Sequence, residues 1–127
     1  MKLWSKSVWA AAAVALFGLG LAVGAHKYET PGTVIHVVTV KWNESATPQQ
    51  RQAAIDGVRK MASEIPGIRR IWLKTLKVQP DDYHAAFVME FENQKALADY
   101  APHPGHRAWE EIYFPVRGES RSHDITN

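Results

Sequence analysis

The chain has 127 residues, no cysteine, and 15 basic against 13 acidic side chains. That length holds one domain, and the missing thiols exclude disulfides, thiolate metal sites and a lipid anchor at a cysteine. Lys2 and Lys6 stand at the extreme N-terminus, so beyond them 13 basic side chains balance the 13 acidic ones. Such a domain has no electrostatic hold on phosphates, and nucleic acid is not an expected partner.

Residues 1–25 have the layout of an export signal. Lys2 and Lys6 form a positive start, and Val8 to Val23 carry no charge and are mostly Ala, Leu, Val and Gly. Val23-Gly24-Ala25 then offers the small residues that signal peptidase needs before its cut. The apolar stretch is short for a hydrocarbon core about 30 Å thick. The rival reading is an uncleaved anchor through residues 8–23, with Trp4 and Trp9 near the interface. Both readings place the domain outside the cytoplasm, periplasmic or secreted, and touching a membrane only through this segment. Residues 26–33 are a polar linker with a Pro31-Gly32 turn.

Val34 to Trp42 is rich in β-branched residues and reads as a strand with both faces covered. Thr47 is placed to cap a helix, with Pro48 at its first position and Gln50 three residues after the cap. Ala54, Ile55, Val58, Met61, Ala62 and Ile65 then recur at helical spacing, and Pro66-Gly67 ends the helix. Ile68 to Leu76 reads as a second strand and Pro80-Asp81-Asp82 as a turn. From Tyr83 to Glu92 the pattern alternates, with Tyr83, Ala85, Phe87, Met89 and Phe91 on one face and His84, Ala86, Val88 and Glu90 on the other. Asn93 caps a helix through Tyr100. Pro102 and Pro104 interrupt it, and a second piece runs from Gly105 to Tyr113. The tail from Val116 to Ile125 supplies a last, polar strand.

The order β-α-β-β-α-β is that of a ferredoxin-like α+β unit, both helices covering one face of an antiparallel sheet. On the first strand Ile35, Val37 and Thr39 alternate with His36, Val38, Val40 and Trp42. Both sets are too apolar to face water. The second set is expected to need a cover of its own, and a partner subunit is the simplest one.

Several stretches carry a family resemblance: Ile35-His36-Val37-Val38, Glu64-Ile65-Pro66-Gly67, Asp82-Tyr83-His84, Glu90-Phe91-Glu92, and above all Asp99-Tyr100-Ala101-Pro102-His103-Pro104-Gly105-His106. Together they resemble the stress-responsive dimeric α/β-barrel (Dabb) family, and the expected domain spans residues 34–126. The resemblance implies ferredoxin-like units whose sheets pair face to face across a homodimer, forming a barrel. In a plant branch of the family, the polyketide cyclase that makes olivetolic acid works by aldol condensation without metal or cofactor. Its working histidine and tyrosine match His106 and Tyr100, and two pocket histidines match His36 and His84. The chain departs at Val58, where that branch has a pocket tyrosine.

The chemistry also stands on its own terms. A histidine titrates near neutrality and can take a proton from carbon beside a carbonyl, while a tyrosine hydroxyl can bond to the developing enolate. The resemblance thus implies a pocket with His106 and Tyr100 as its catalytic pair and His36, His84 and Val58 against the substrate, which is expected to be a small apolar carbonyl or aromatic compound. The bland readings are that His103 and His106 brace the Pro-broken turn and that His36 is hydrogen-bonded core. A non-enzymatic stress-related dimer is one alternative. A second uses His36, His84, His103 and His106 to hold metal or haem, but no HExxH or paired histidines on one helix support it. No resident metal or cofactor is expected.

Overall fold

The computed structural model describes residues 31–127 together with Val14. The export-signal reading, and all but the end of the linker, fall on residues outside these. The elements are β1 (Val34–Trp42), α1 (Pro48–Glu64), β2 (Ile68–Trp72), β3 (Ala85–Phe91), α2 (Gln94–Tyr100), α3 (Pro104–Tyr113) and β4 (Arg117–Ile125). The four strands form one antiparallel sheet in the order β2-β3-β1-β4, the ferredoxin-like arrangement. Among the described residues no helix is long and apolar enough to cross a membrane.

Local chemistry explains where the helices begin. The Thr47 hydroxyl accepts the Gln50 N–H at 3.2 Å, and the Gln50 side chain accepts the Thr47 N–H at 2.9 Å. This reciprocal pair satisfies two donors that the first helical turn cannot. Asn93 caps α2 by accepting the Ala96 N–H at 2.9 Å. On α1, Ala54, Val58 and Met61 are buried against the sheet. Gly57 lies where a Cβ would come within 2.7 Å of the Trp109 ring, so α3 can approach α1 only because that side chain is missing. Trp109 uses the closeness: its indole N–H donates to the Ala54 carbonyl at 2.8 Å.

Gly67 ends the α1–β2 connection at φ 87°, in the left-handed region, and a Cβ there would sit 2.5 Å from that of Ala96. Gly67→Ala is therefore expected to cost roughly 2 kcal/mol, from backbone strain and the clash together. Urea unfolding at equilibrium checks this, and a cost below about 0.5 kcal/mol would remove both causes.

The two faces of β1 are used opposite to expectation. His36, Val38, Val40 and Trp42 lie under the helices, where Val38, Val40 and Trp42 join the core. They share that face with Phe87, Met89 and Phe91, since Val38 stands opposite Phe87 and His36 opposite Met89. The face away from the helices carries Ile35, Val37 and Thr39, opposite Glu90, Val88 and Ala86. Trp72, 49% exposed, stands opposite Val88 on this face, and Ile125 stands opposite Ile35. Alternation alone could not choose between two apolar sets; the aromatic residues of β3 and α3 chose.

β2 stops at Trp72, short of Leu76, which is 89% exposed. The reason is a side chain standing in for backbone. The Thr75 hydroxyl donates to the Ala86 carbonyl at 2.9 Å and accepts the Ala86 N–H at 2.8 Å, doing the work of a ladder pair without a strand. The tail is a strand despite its polarity, because it is an edge that pairs with β1 from Ile35–Ile125 to Trp42–Arg117.

Candidate functional site

The turn between α2 and α3 builds the site. Tyr100 ends α2, and α3 restarts at Pro104 with His103 as its cap, the ring accepting the Gly105 N–H at 3.0 Å. The cap leaves His103 with a structural task and puts His106 in the first turn of α3. There the His106 Nδ1 lies 3.1 Å from the Ala101 carbonyl, a distance at which Nδ1–H donates and Nε2 keeps its lone pair. The Tyr100 and His106 rings meet edge to face at 4.4 Å between centroids, and Tyr100 lies 5.8 Å from His36.

These three side chains line a cleft of about 350 Å³ between the helix face of β1 and β4 and the helices α2 and α3. Val38, Leu97 and Trp109 supply apolar wall, and Glu110, Ser122 and Asp124 supply polar groups. Asp124 reaches across from β4 to the His36 ring at 2.5 Å. Glu110 lies one turn after His106, 3.5 Å from its Nδ1, and is held by Arg107 at 2.9 Å. Trp109 and Tyr113 stack at 4.3 Å and form the continuation of the wall.

Burial holds the His106 pKa below the ordinary histidine value, more strongly than Glu110 and the Ala101 carbonyl raise it. His106 is thus a neutral base at physiological pH. Burial likewise pushes the Tyr100 phenol up, with the Glu110 charge adding to it, so Tyr100 stays a proton donor. The pair is an available base beside a fixed acid.

The sign of the histidine effect yields a prediction. A depressed folded-state pKa means that the unfolded chain takes the proton first as pH falls. The stabilisation is present above the unfolded value of about 6.5 and is lost as pH drops through the folded value. Melting temperatures recorded from pH 7.5 to 5 are expected to fall for the native protein, and His106→Gln is expected to flatten that fall. Parallel curves for the two proteins would contradict it.

The structure brings His36, Tyr100 and His106 together and does not bring Val58 or His84 to this cleft. Val58 is 0% exposed on α1, where it packs with Ala54 and Met61 into the core. His84 sits at the start of β3, where its Nδ1 accepts the Trp42 N–H at 2.9 Å and its own N–H donates to the Val40 carbonyl. Among the described residues no cluster of three or more histidine, cysteine or acidic side chains is placed to hold a metal ion. Sequence reading missed Glu110 and Asp124. Spacing of four from His106 was a usable signal for Glu110, whereas Asp124 depends on a strand pairing 88 residues away.

A family model, the stress responsive A/B barrel domain (Dabb), matches residues 34–127. Among curated proteins none matches the chain. Solved structures with the same fold include a dimeric ferredoxin-like protein of unknown function from Thermobifida fusca, 23% identical over 79% of this chain and 95% of that one, with a TM-score of 0.66. A Dabb family protein from Mesorhizobium loti is 24% identical over 76% and 97%, with a TM-score of 0.64. The hydroxynitrile lyase of Passiflora edulis is 14% identical over 75% and 93%, with a TM-score of 0.68.

Proposed function

We propose that this chain, which belongs to the stress responsive A/B barrel (Dabb) family, binds a small, largely apolar carbonyl or aromatic compound in the cleft and transfers a proton within it. The observation that carries this is the Tyr100–His106 pair at 4.4 Å, in a cleft whose apolar wall includes Val38, Leu97 and Trp109. His106 Nε2 takes the proton from carbon beside the ligand's carbonyl, and the electron pair of the broken C–H bond moves into the enolate. The Tyr100 hydroxyl donates to the enolate oxygen. Return of the proton at another carbon completes an isomerase-like cycle. Attack of the enolate carbon on a second carbonyl of the same molecule, whose new alkoxide takes the proton from His106, completes a cyclase-like one. The reverse of that step, which breaks the C–C bond, is lyase-like. The name of the Passiflora edulis protein supports lyase chemistry on this fold.

A thermal-shift screen of the full chain against aryl ketones, aromatic acids, quinones, haem and divalent metals tests the reading. A ligand at about 100 times its dissociation constant adds roughly 2.7 kcal/mol, which raises the midpoint of a domain this size by several degrees. The expected result is an organic ligand whose effect shrinks in His106→Ala. Stabilisation by metal or haem alone would replace this reading with a ligating one. Silence across the panel would favour a dimer whose work is assembly.

Two further parts of the reading rest on other observations. The sheet face away from the helices, with Ile35, Val37, Val88 and Trp72, is covered by a second copy of the chain, and a relative of the same fold is described as dimeric. Light scattering that gives a monomer mass at micromolar concentration would oppose this. The domain works outside the cytoplasm, on the strength of Lys2, Lys6 and the uncharged run to Val23. N-terminal sequencing of the protein from its native cell is expected to begin at His26; a start at Met1 in a membrane fraction would select the anchor.

A further inference from the structure

The cleft has a second end, away from Tyr100 and His106. β4 runs antiparallel to β1, so Asp124 stands opposite His36 while Arg117 stands opposite Trp42. His106 and Tyr113 face the cleft from the same side of α3, seven residues and so about 10 Å apart. The cleft is therefore a trough with an acid–base end and an end made by Tyr113, Phe114, Arg117 and Ser120.

Two observations at that end point to a ligand. Arg117 lies with its guanidinium carbon 4.4 Å from the Phe114 ring centroid and 5.6 Å from that of Tyr113, so the aromatic pair holds the cation at this end of the cleft. Arg59, Arg70, Arg107 and Arg121 each pair with an acid, while Arg51, Arg69 and Arg117 have no carboxylate partner among the described residues, and of these three it is Arg117 that lines the cleft. The acids of the trough are engaged elsewhere, Glu110 with Arg107 and Asp124 with His36. The second observation is the Tyr113 hydroxyl. Tyr113 is 3% exposed, and its buried oxygen makes no hydrogen bond of good distance and angle among the described residues, although the Ser120 side chain is near enough to ease its ionisation. A buried hydroxyl left so costs free energy unless something else bonds to it.

We infer that the trough's compound is an aryl carboxylate, its carbonyl at Tyr100 and His106 and its carboxylate held by Arg117, with the Tyr113 hydroxyl donating to the same group. The inference rests on the ligand reading of the preceding subsection and names the class of that ligand. A planar guanidinium on an aromatic face is the group best suited to a planar carboxylate, which it takes through two parallel bonds. The separation of about 10 Å asks for a body of two linked rings or their length in chain.

Calorimetric titration of the full chain with 4′-acetylbiphenyl-4-carboxylate, its 4-carboxamide and unsubstituted 4-acetylbiphenyl tests this. The acid is expected to bind roughly tenfold tighter than the amide, the size of one charge-assisted pair. Arg117→Gln is expected to bring the acid down to the level of the amide. Tyr113→Phe, which removes one oxygen from an otherwise unchanged ring, is expected to weaken the acid severalfold without lowering the melting temperature. Equal affinities for acid and amide, or a preference that survives Arg117→Gln, would overturn the carboxylate assignment while leaving the ligand reading intact. Failure of all three probes to bind would take down both.

Discussion

His106→Ala is expected to lower turnover by roughly 10²- to 10⁴-fold, the range associated with removing a positioned general base. A direct measurement is exchange of the acetyl protons of 4′-acetylbiphenyl-4-carboxylate for deuterium, followed by nuclear magnetic resonance in heavy water. The expectation follows from four features that converge on one ring. The Nδ1–H is committed to the Ala101 carbonyl at 3.1 Å, which leaves Nε2 as the basic atom. Burial keeps the ring neutral, so the base is ready without a proton loss. Tyr100, held protonated by its own burial, lies 4.4 Å away to receive the developing charge. Glu110 near Nδ1 stabilises the imidazolium once it forms. The acid limb of the pH–rate profile should then fall below the ordinary histidine value of about 6.5.

Stability separates this role from a structural one. His106→Ala gives up one hydrogen bond to a turn carbonyl, which is worth about 1 kcal/mol. A variant that exchanges deuterium normally while melting far lower would identify His106 as a brace and end its assignment as base. Tyr100→Phe keeps the ring packing against Phe91 and His36 and removes only the hydroxyl. It is expected to slow exchange while leaving the midpoint of unfolding nearly unchanged.

The largest expected effect on stability is that of Phe87→Ala, at about 3–5 kcal/mol. Phe87 is 1% exposed in the middle of β3, opposite Val38, and meets Trp109 and Tyr113 edge to face at 5.9 and 6.4 Å. Trp109 is tied to Ala54 and stacked on Tyr113, so neither ring is free to close the hole. A domain of this size has a stability of about 5–15 kcal/mol, so the variant spends a large part of it. Urea unfolding should show a lower midpoint at the same slope. Ligand affinity should fall as well, since Trp109 and Tyr113 line the cleft and lose their floor. A cost under about 1 kcal/mol would mean that the helices do not pack on this face of the sheet.

Much of the architecture was legible in short stretches of sequence because short-range physics controls it. Thr47, Pro48 and Gln50 announce a helix start whichever way the helix later packs, and their capping bonds are present. The alternation from Tyr83 to Phe91 picks out Tyr83, Phe87, Met89 and Phe91, which are buried as it implies, while Ala85 of the same set is half-buried and Glu90 of the other set is buried. The Asp99–His106 stretch likewise carries in one local turn the two side chains that meet at the cleft.

What only the tertiary structure decided involves partners far apart along the chain. Two apolar sets on β1 made its faces equivalent to a periodicity argument, and the aromatic cluster of Phe87, Trp109 and Tyr113 broke the tie. Val58 and His84 were attached to a pocket by resemblance. In the molecule one fills the core, and the other accepts the Trp42 N–H. Asp124 and Arg117 read as unremarkable charges of a polar tail until the pairing of β4 with β1 sets one beside His36 and the other at the far end of the cleft. Propensity and alternation act over a few residues, whereas the choice of face and the membership of a site are set by packing between elements, which no local pattern encodes.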